Sequence, residues 1–369
     1  MKRTPFYKFH QQRDGKFVDF AGWEMPISFG SIIEEHNQVR NSGGLFDVSH
    51  MGRFKISGRH ARKLLEHTLT RRVSDMAVKS CRYSLVCNEA GGVLDDILVY
   101  RFDQHWLLVV NASNREKIFS HLESVIAQRE FVCKIEDQTE STAMVALQGP
   151  KVMEEVGRFS REVPTLKRYT FAEKNLLILK MVISRTGYTG EDGVEIIMNA
   201  GLADKAVKML VKDAPEGQTP VMKSIGLGAR DTLRIEAAMP LYGHELSEEI
   251  DPLTAGLRFA VNLDKDEDPK GESFIGLDAL KKIDAEGPKQ KRIGLQLEGK
   301  RTPRQHMAVQ KNGATIGEVT SGCLSPTLGY PIAMAYVTSD SVAEGDTIQI
   351  DFNGKPHDAQ VVKLPFYKR

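Results

Sequence analysis

Apolar residues recur at helical spacing in four stretches, RHARKLLEHTL (59–69), REKIFSHLESVIA (115–127), PKVMEEVGR (150–158) and LADKAVKMLVKDA (202–214). Each predicts an amphipathic helix, and Ser113 or Asn114 is placed to cap the second. Between them lie short runs of strand character: RFKISG, RYSLVCN, DILVYRF, WLLVVN, AMVALQG, LLILKMVISR and VEIIMN. Helices are too few and hairpin spacings too many for a doubly wound parallel sheet. The pattern predicts an α+β fold with antiparallel sheets. A fifth helix is expected from about 223 to 237, with no strand before it.

The character of the chain changes after 264–274, DKDEDPKGESF, where charge, proline and glycine concentrate and periodicity disappears. We expect a linker there. From about 291 the chain alternates β-rich runs (RIGLQLEG, HMAVQKNG, ATIGEVTSG, IAMAYV, DTIQIDFNG, AQVVKLPF) with turn residues. This predicts a small all-β barrel or sandwich.

One strand carries an anomaly. In GGVLDDILVY (91–100), Val93, Ile97 and Val99 point one way and Leu94, Leu98 and Tyr100 the other, with Asp95 and Asp96 between them. Adjacent strand residues face opposite sides, so at least one carboxylate is expected to be buried.

Composition narrows the classes. The chain has 369 residues, enough for two or three domains, with 41% hydrophobic and 27% charged residues. Its 50 basic residues nearly cancel 49 acidic ones, which leaves no electrostatic footprint for nucleic acid or an anionic membrane. Cys81, Cys87, Cys133 and Cys323 show neither CxxC spacing nor pairing with histidine, so reduced thiols and no metal site are expected. MKRTPFYKFH lacks the apolar run of a secretory signal, and no segment approaches the roughly 20 apolar residues of a membrane helix. A cytoplasmic protein is the expectation.

Glycine-rich segments do not make a nucleotide site. IGLGARD (225–231) has Asp231 where a dinucleotide fingerprint needs its third glycine, and no GxxxxGK[ST] occurs. SRTGYTGEDGVEI (184–196) presents Tyr188 in a glycine-rich turn beside Glu191, Asp192 and Glu195. Glu191 and Asp192 read as a solvated turn. Glu195 lies inside an apolar strand start, where burial raises a carboxyl pKa unless donors meet it. A planar ligand edge with two N–H donors would satisfy it, as in guanine, pterin or arginine. Arg230 and Arg234 lie four apart on one helical face and either pair with nearby acids or grip an anionic ligand. Ser49 and His50 in FDVSHMG are neighbours and make no triad, and there is no GxSxG elbow.

Taken together, KRTPFYKFH, DFAGWEMPISFGSIIEEHNQVR, FDVSHMGRFKISG, CNEAGGVLDDILVYRF, SRTGYTGEDGVEI, GLGARDTLRIEAAMPLYGHEL and TSGCLSPTLG resemble the aminomethyltransferase (T-protein) family of the glycine cleavage system. The resemblance runs in order from residue 3 to the final PFYKR. It implies a three-domain clover-leaf: two antiparallel α+β domains and a C-terminal β-barrel or jelly roll around a central folate site. The first domain would comprise 1–47 and 139–263, the inserted second 48–138, a linker 264–283 and the barrel 284–369.

The resemblance further implies transfer of the methylene from an aminomethylated lipoyl H-protein to tetrahydrofolate, giving 5,10-methylenetetrahydrofolate, ammonia and the dihydrolipoyl carrier. It assigns Asp96 as the catalytic acid, buried and facing the reacting nitrogen, with Asp95 structural. Met51, Tyr83, Tyr100, Asn111, Tyr169, Tyr188, Glu195 and Arg230 are expected to line the folate pocket. Neither metal nor nucleotide is expected. Phe259 stands where the family usually carries tryptophan, which would keep an aromatic wall but lose an indole hydrogen bond. Related folate enzymes offer rival readings. Sulfonium demethylases are the nearest, flavin-linked dehydrogenases would need a domain for which there is no room, and a folate sensor would lack Asp96.

Overall fold

In a computed structural model, which describes residues 1–176, 179–211, 220–268 and 272–369, the chain opens with β1 (Lys2–Arg3), α1 (Tyr7–Gln11), β2 (Lys16–Phe20), β3 (Trp23–Ser28), α2 (Ile32–Asn41), β4 (Gly43–Asp47) and β5 (Gly52–Ser57). There follow α3 (Ala61–Thr68), β6 (Ser80–Cys87), β7 (Val93–Arg101), β8 (Trp106–Val110), α4 (Arg115–Gln128) and β9 (Lys134–Asp137). Next come β10 (Thr142–Gln148), α5 (Val152–Gly157), β11 (Phe171–Leu176), β12 (Leu179–Ser184), β13 (Gly193–Asn199), α6 (Ala203–Leu210), β14 (Met222–Ile225) and α7 (Leu227–Glu236). The last part holds α8 (Leu277–Glu286) and β15 (Gln290–Leu297), β16 (Ala308–Lys311), β17 (Ala314–Leu324), β18 (Pro331–Thr338), β19 (Thr347–Asp351) and β20 (Pro356–Val362).

The strands form four sheets. Three carry the orders β1-β3-β2, β11-β12-β13-β10-β4-β14 and β6-β7-β8-β5-β9, and the fourth closes as a barrel, β15-β18-β17-β16-β19-β20. Each of the six β-rich runs read from the C-terminal sequence supplies one barrel strand. Alternation explains why: Val309, Val319, Ala333, Ala335, Val337, Ile348, Ile350 and Val361 turn inward together. The expected antiparallel pairing holds throughout the barrel, but β14 runs parallel to β4 and β1 parallel to β3.

The chain divides into two compact units. One comprises Met1–Leu65, Val73–Tyr83 and Ile97–Asp231; the other Glu66–Arg72, Ser84–Asp96 and Thr232–Arg369. In the first, Leu45, Val145, Leu147, Ile183, Val194 and Ile196 from the six-stranded sheet pack with Ala206 and Val207 of α6 and with Phe6 and Phe9. Each such large side chain contributes about 1.5–3 kcal/mol on burial.

Several local expectations change. Met222–Ile225 is a strand, not helix, because its parallel partner β4 supplies hydrogen bonds and buries three of its four side chains. LLILKMVISR is not one strand: Leu176 ends β11, which pairs antiparallel with β12, and residues 177 and 178 lie outside the described residues. So do 212–214, the end expected for the helix at 202–214. Asn114 occupies the N-cap of α4 without a capping bond from its side chain.

The charged stretch after 264 is not wholly solvated. Lys265 is fully buried, its Nζ 3.0 Å from Glu66 Oε2 and donating to the carbonyls of Glu66, Leu69 and Arg71. These carbonyls lie in the last turn of α3 and just after it, so the ammonium fills acceptors that a helix end leaves open.

Candidate functional site

The turn between β4 and β5, residues 47–52, is held from both sides. Asp47 accepts hydrogen bonds from Thr4 Oγ1 (2.6 Å), His10 Nε2 (3.0 Å) and the Ser49 N–H (2.9 Å). Burial acts to raise this carboxyl, but His10, Thr4 and Ser49 outweigh it and hold the group below its ordinary range. Arg53 is fully buried and donates to the carbonyls of Met51 (2.6 Å), Ser49 (3.0 Å) and Thr139 (2.5 Å) and to Thr142 Oγ1 (2.7 Å). Burial lowers its pKa to about 10, so it is still a cation at neutral pH. Met51 is therefore fixed at its backbone, with a half-buried side chain.

Tyr100 of β7, Ser184 of β12, Thr186 just after that strand and Glu195 of β13 form a chain of hydroxyls ending at a carboxylate. Tyr100 OH lies 3.1 Å from Ser184 Oγ, Ser184 Oγ lies 2.9 Å from Thr186 Oγ1, and Thr186 Oγ1 donates to Glu195 Oε2 at 2.5 Å. Among the described residues, Oε1 of Glu195 takes no hydrogen bond. Burial pushes the Glu195 carboxyl above its ordinary range, against the Thr186 bond and the positive charge of Arg230. Burial likewise pushes Tyr100 well up, so its hydroxyl stays protonated.

The turn that carries Tyr188 is shaped by close packing on Gln148. A Cβ at Gly193 would sit 2.1 Å from the Leu147 carbonyl, so only glycine fits there, and one at Gly187 would sit 1.9 Å from Gln148 Oε1 and displace that side chain. The acids of this turn are not free in solvent, contrary to expectation. Glu191 is buried in an ion pair with Arg40 of α2 at 2.9 Å, and Asp192 is gripped by both Nε and Nη2 of Arg185. Arg185 also donates to the Leu166 carbonyl, and its own carbonyl accepts the Tyr169 N–H, so the turn and the 164–169 loop are tied together.

Helix α7 brings Arg230 to this region. Its start is set by Glu35, whose Oε2 accepts the Gly226 N–H at 2.7 Å while Oε1 accepts from Phe29 and Gly30. The two arginines of the helix differ. Arg234 is nearly sealed and pairs with Glu245 at 2.8 Å and Ser321 Oγ at 2.7 Å. Arg230 lies over the Tyr188 ring, 4.7 Å from its centroid, and its buried Nη1 has no hydrogen-bond partner among the described residues. The sequence left both arginines with two readings, ion pair or ligand grip. Arg234 takes the first.

The remaining candidates are less closely joined. Tyr83 on β6 and Asn111, at the end of β8, are half-buried. Tyr169 is 48% exposed and adopts φ +60°, unusual for an aromatic residue, with its carbonyl accepting the Cys81 N–H. On β7 the fully buried carboxylate is Asp95, not Asp96, which is only half-buried. The reason is the pleat: Val93, Asp95, Ile97 and Val99 share a closed face, whereas Asp96 and Leu98 share with Tyr100 a partly open one. Phe259 is 64% exposed and forms no enclosed wall.

Sequence reading missed Thr186, Ser184, Asp47 and Arg53. None of them left a clear signal: even Arg53 shares the polar phase of RFKIS with Lys55 and Ser57.

The GCVT N-terminal domain family matches residues 6–265, and the glycine cleavage T-protein C-terminal barrel domain matches 290–368. An aminomethyltransferase of Exiguobacterium sibiricum is 42% identical over 371 residues, covering 100% of this chain and 98% of its own. One from Symbiobacterium thermophilum is 42% identical over 376 residues with the same coverage. The crystal structure of glycine cleavage system aminomethyltransferase T from Bartonella henselae superposes with a TM-score of 0.90 at 32% identity, covering 100% of this chain and 98% of that one. The chain belongs to the glycine cleavage T-protein family.

Proposed function

We propose that this chain is an aminomethyltransferase of the glycine cleavage system, passing a one-carbon unit from an aminomethylated lipoyl H-protein to tetrahydrofolate. The observation that carries the folate reading is the contrast between two groups in one unit. Glu195 offers a buried carboxylate half used by Thr186, and Arg230, whose charge acts on it, has a buried Nη1 with no partner among the described residues. Leaving such atoms unpaired costs about 1–3 kcal/mol each, so a site built this way is shaped for a polar ligand. The residues fit a pterin: a carboxylate for its paired N–H edge, and the Tyr188 ring for its face.

Tetrahydrofolate, when bound, supplies the two amine nitrogens between which the carbon ends, with release of ammonia and of the carrier's dithiol. The protein's part is placement and charge. Asp96 would accept the proton lost by the attacking amine and oppose the positive charge that develops as ammonia leaves. Its half-open position on β7, on the face it shares with Tyr100, suits a group that must meet a substrate. Glu195 and Arg230 would orient the ring, and Tyr100, protonated and bonded to Ser184, would hold the wall. Met51, Tyr83, Asn111 and Tyr169 are assigned to the remaining pocket.

The test is titration of the protein with tetrahydrofolate, followed by turnover with aminomethylated H-protein. Binding with folate-dependent ammonia release supports the reading. Binding without turnover, accompanied by methyl transfer from a sulfonium compound, would replace it with the demethylase activity.

A further inference from the structure

Thr186 has no part in the mechanism above, yet it decides how Glu195 stands. It is buried just beyond β12, and its hydroxyl donates to Glu195 Oε2 at 2.5 Å. Ser184 lies opposite Glu195 in the pairing of β12 with β13, and Thr186 follows Ser184 by two residues, the spacing that returns a side chain to the same face of an extended chain. A hydroxyl owns one proton, and that fixes the direction of the whole chain of hydroxyls. The Thr186 proton is spent on Glu195, so at the 2.9 Å contact with Ser184 the threonine oxygen accepts and Ser184 donates. The Ser184 proton is then spent too, and at 3.1 Å Tyr100 donates to Ser184. The Glu195 carbonyl, 3.4 Å from Ser184 Oγ, is the weaker claimant on that proton. Three hydroxyls therefore point one way, toward Glu195 Oε2, and each strengthens the next.

Resting on the folate reading, we propose that Thr186 is a positioning residue for Glu195: its donated hydrogen bond, backed by Ser184 and Tyr100, fixes the carboxyl group and leaves Oε1 as the oxygen open to a ligand. With Oε2 already accepting, a proton taken up by Glu195 sits on Oε1, where a ligand N–H would bond. The proton and the ligand thus compete for one atom. Burial raises the Glu195 carboxyl, and the Thr186 bond works against that rise, together with the charge of Arg230, which an arginine keeps. The other groups facing Glu195 do not change charge in the same range. Its cross-strand neighbours Ala146 and Ser184 are uncharged, and Tyr100 of β7 and Cys81 of β6 are both pushed up by burial and stay protonated. Removing the Thr186 hydroxyl therefore raises Glu195 further. Affinity for an N–H ligand is present above that pKa and is lost as pH falls through it, so without Thr186 the loss begins at a higher pH.

Thr186→Val keeps the shape of the side chain and removes its proton, whereas Thr186→Ser keeps the proton. Infrared difference titration of the ligand-free protein, with Glu195→Gln as the blank, follows the carboxyl directly. Glu195 should titrate at a higher pH in Thr186→Val than in wild type, and at the wild-type pH in Thr186→Ser. Ser184→Ala should move it in the same direction as Thr186→Val, by less. Calorimetric titration with tetrahydrofolate is the second readout: Thr186→Val should bind about tenfold more weakly at pH 6, the scale of one charge-assisted hydrogen bond, with the gap narrowing as pH rises and with Thr186→Ser restoring the affinity. An unmoved Glu195 titration in Thr186→Val overturns the proposal. So does a weakening that is equal at every pH and that Thr186→Ser does not recover, the pattern of a threonine that only packs. If Thr186→Val does not fold, the Ser184→Ala titration decides, and an unmoved Glu195 there overturns the proposal as well. If the unmodified protein binds no tetrahydrofolate while Glu195 titrates as described, the positioning role stands and the folate reading itself is what has failed.

Discussion

Replacing Glu195 by glutamine removes one charge and almost nothing else. The side chain keeps its shape, and the amide oxygen can still accept the Thr186 hydroxyl now bonded at 2.5 Å. What is lost is a charge-assisted acceptor for a ligand N–H edge, worth roughly 1.5–3 kcal/mol, or about 10- to 150-fold in affinity. Stability should move the other way. Burial raises the Glu195 carboxyl above its unfolded value, so between those two pKa values the folded state holds more protons than the unfolded. The stability contributed by the protonated form is complete below the unfolded pKa and is lost as pH rises through the folded one. The variant has nothing there to ionise and should lack this decline. Calorimetric titration with tetrahydrofolate, paired with thermal unfolding at pH 5 and pH 8, tests both halves. Wild-type affinity in the variant would refute the assignment. A variant less stable than wild type at pH 8, with the same pH dependence, would refute the burial argument.

Other consequences concern the reaction and the frame. Asp96→Asn should keep most folate affinity and lose turnover by at least about 10²-fold, the scale for an acid–base or electrostatic group; unchanged turnover excludes Asp96 from the chemistry. Arg234→Ala should destabilise by roughly 3–5 kcal/mol in denaturant unfolding, because it strands Glu245 as a buried, unpaired charge. A loss under about 1 kcal/mol would show that the pair is open to water. Lys265→Met should also destabilise, with a pH signature. Burial lowers the Lys265 pKa from 10.5 to about 8, so the unfolded chain holds more protons between those values and wild-type stability gains with pH there. The gap between wild type and variant should therefore widen from about pH 8 to 10.5, and a constant gap contradicts the assignment.

How much of this was legible follows from the range of each interaction. The barrel strands were readable because inward and outward positions alternate strictly within each run. Glu195 was readable for the same reason, a carboxylate in an apolar strand. Strand β14 was not, since four residues with no strong pattern become a strand only beside β4. Glu191 looked solvated because its partner Arg40 is 151 residues away. Lys265 sat in a charge run whose composition speaks of solvent, and the carbonyls at the end of α3 with the Glu66 carboxylate explain its burial. For the adjacent aspartates, the pleat required one to be buried but could not say which. Asp95 lies on the closed face, leaving Asp96 on the partly open one.

The most direct measurement mixes the purified protein with aminomethylated H-protein, with and without tetrahydrofolate, and follows ammonia and 5,10-methylenetetrahydrofolate together. The account predicts that both appear in equal amounts, that their formation depends on folate, and that Asp96→Asn suppresses both. Folate binding with no folate-dependent release of either product would contradict it.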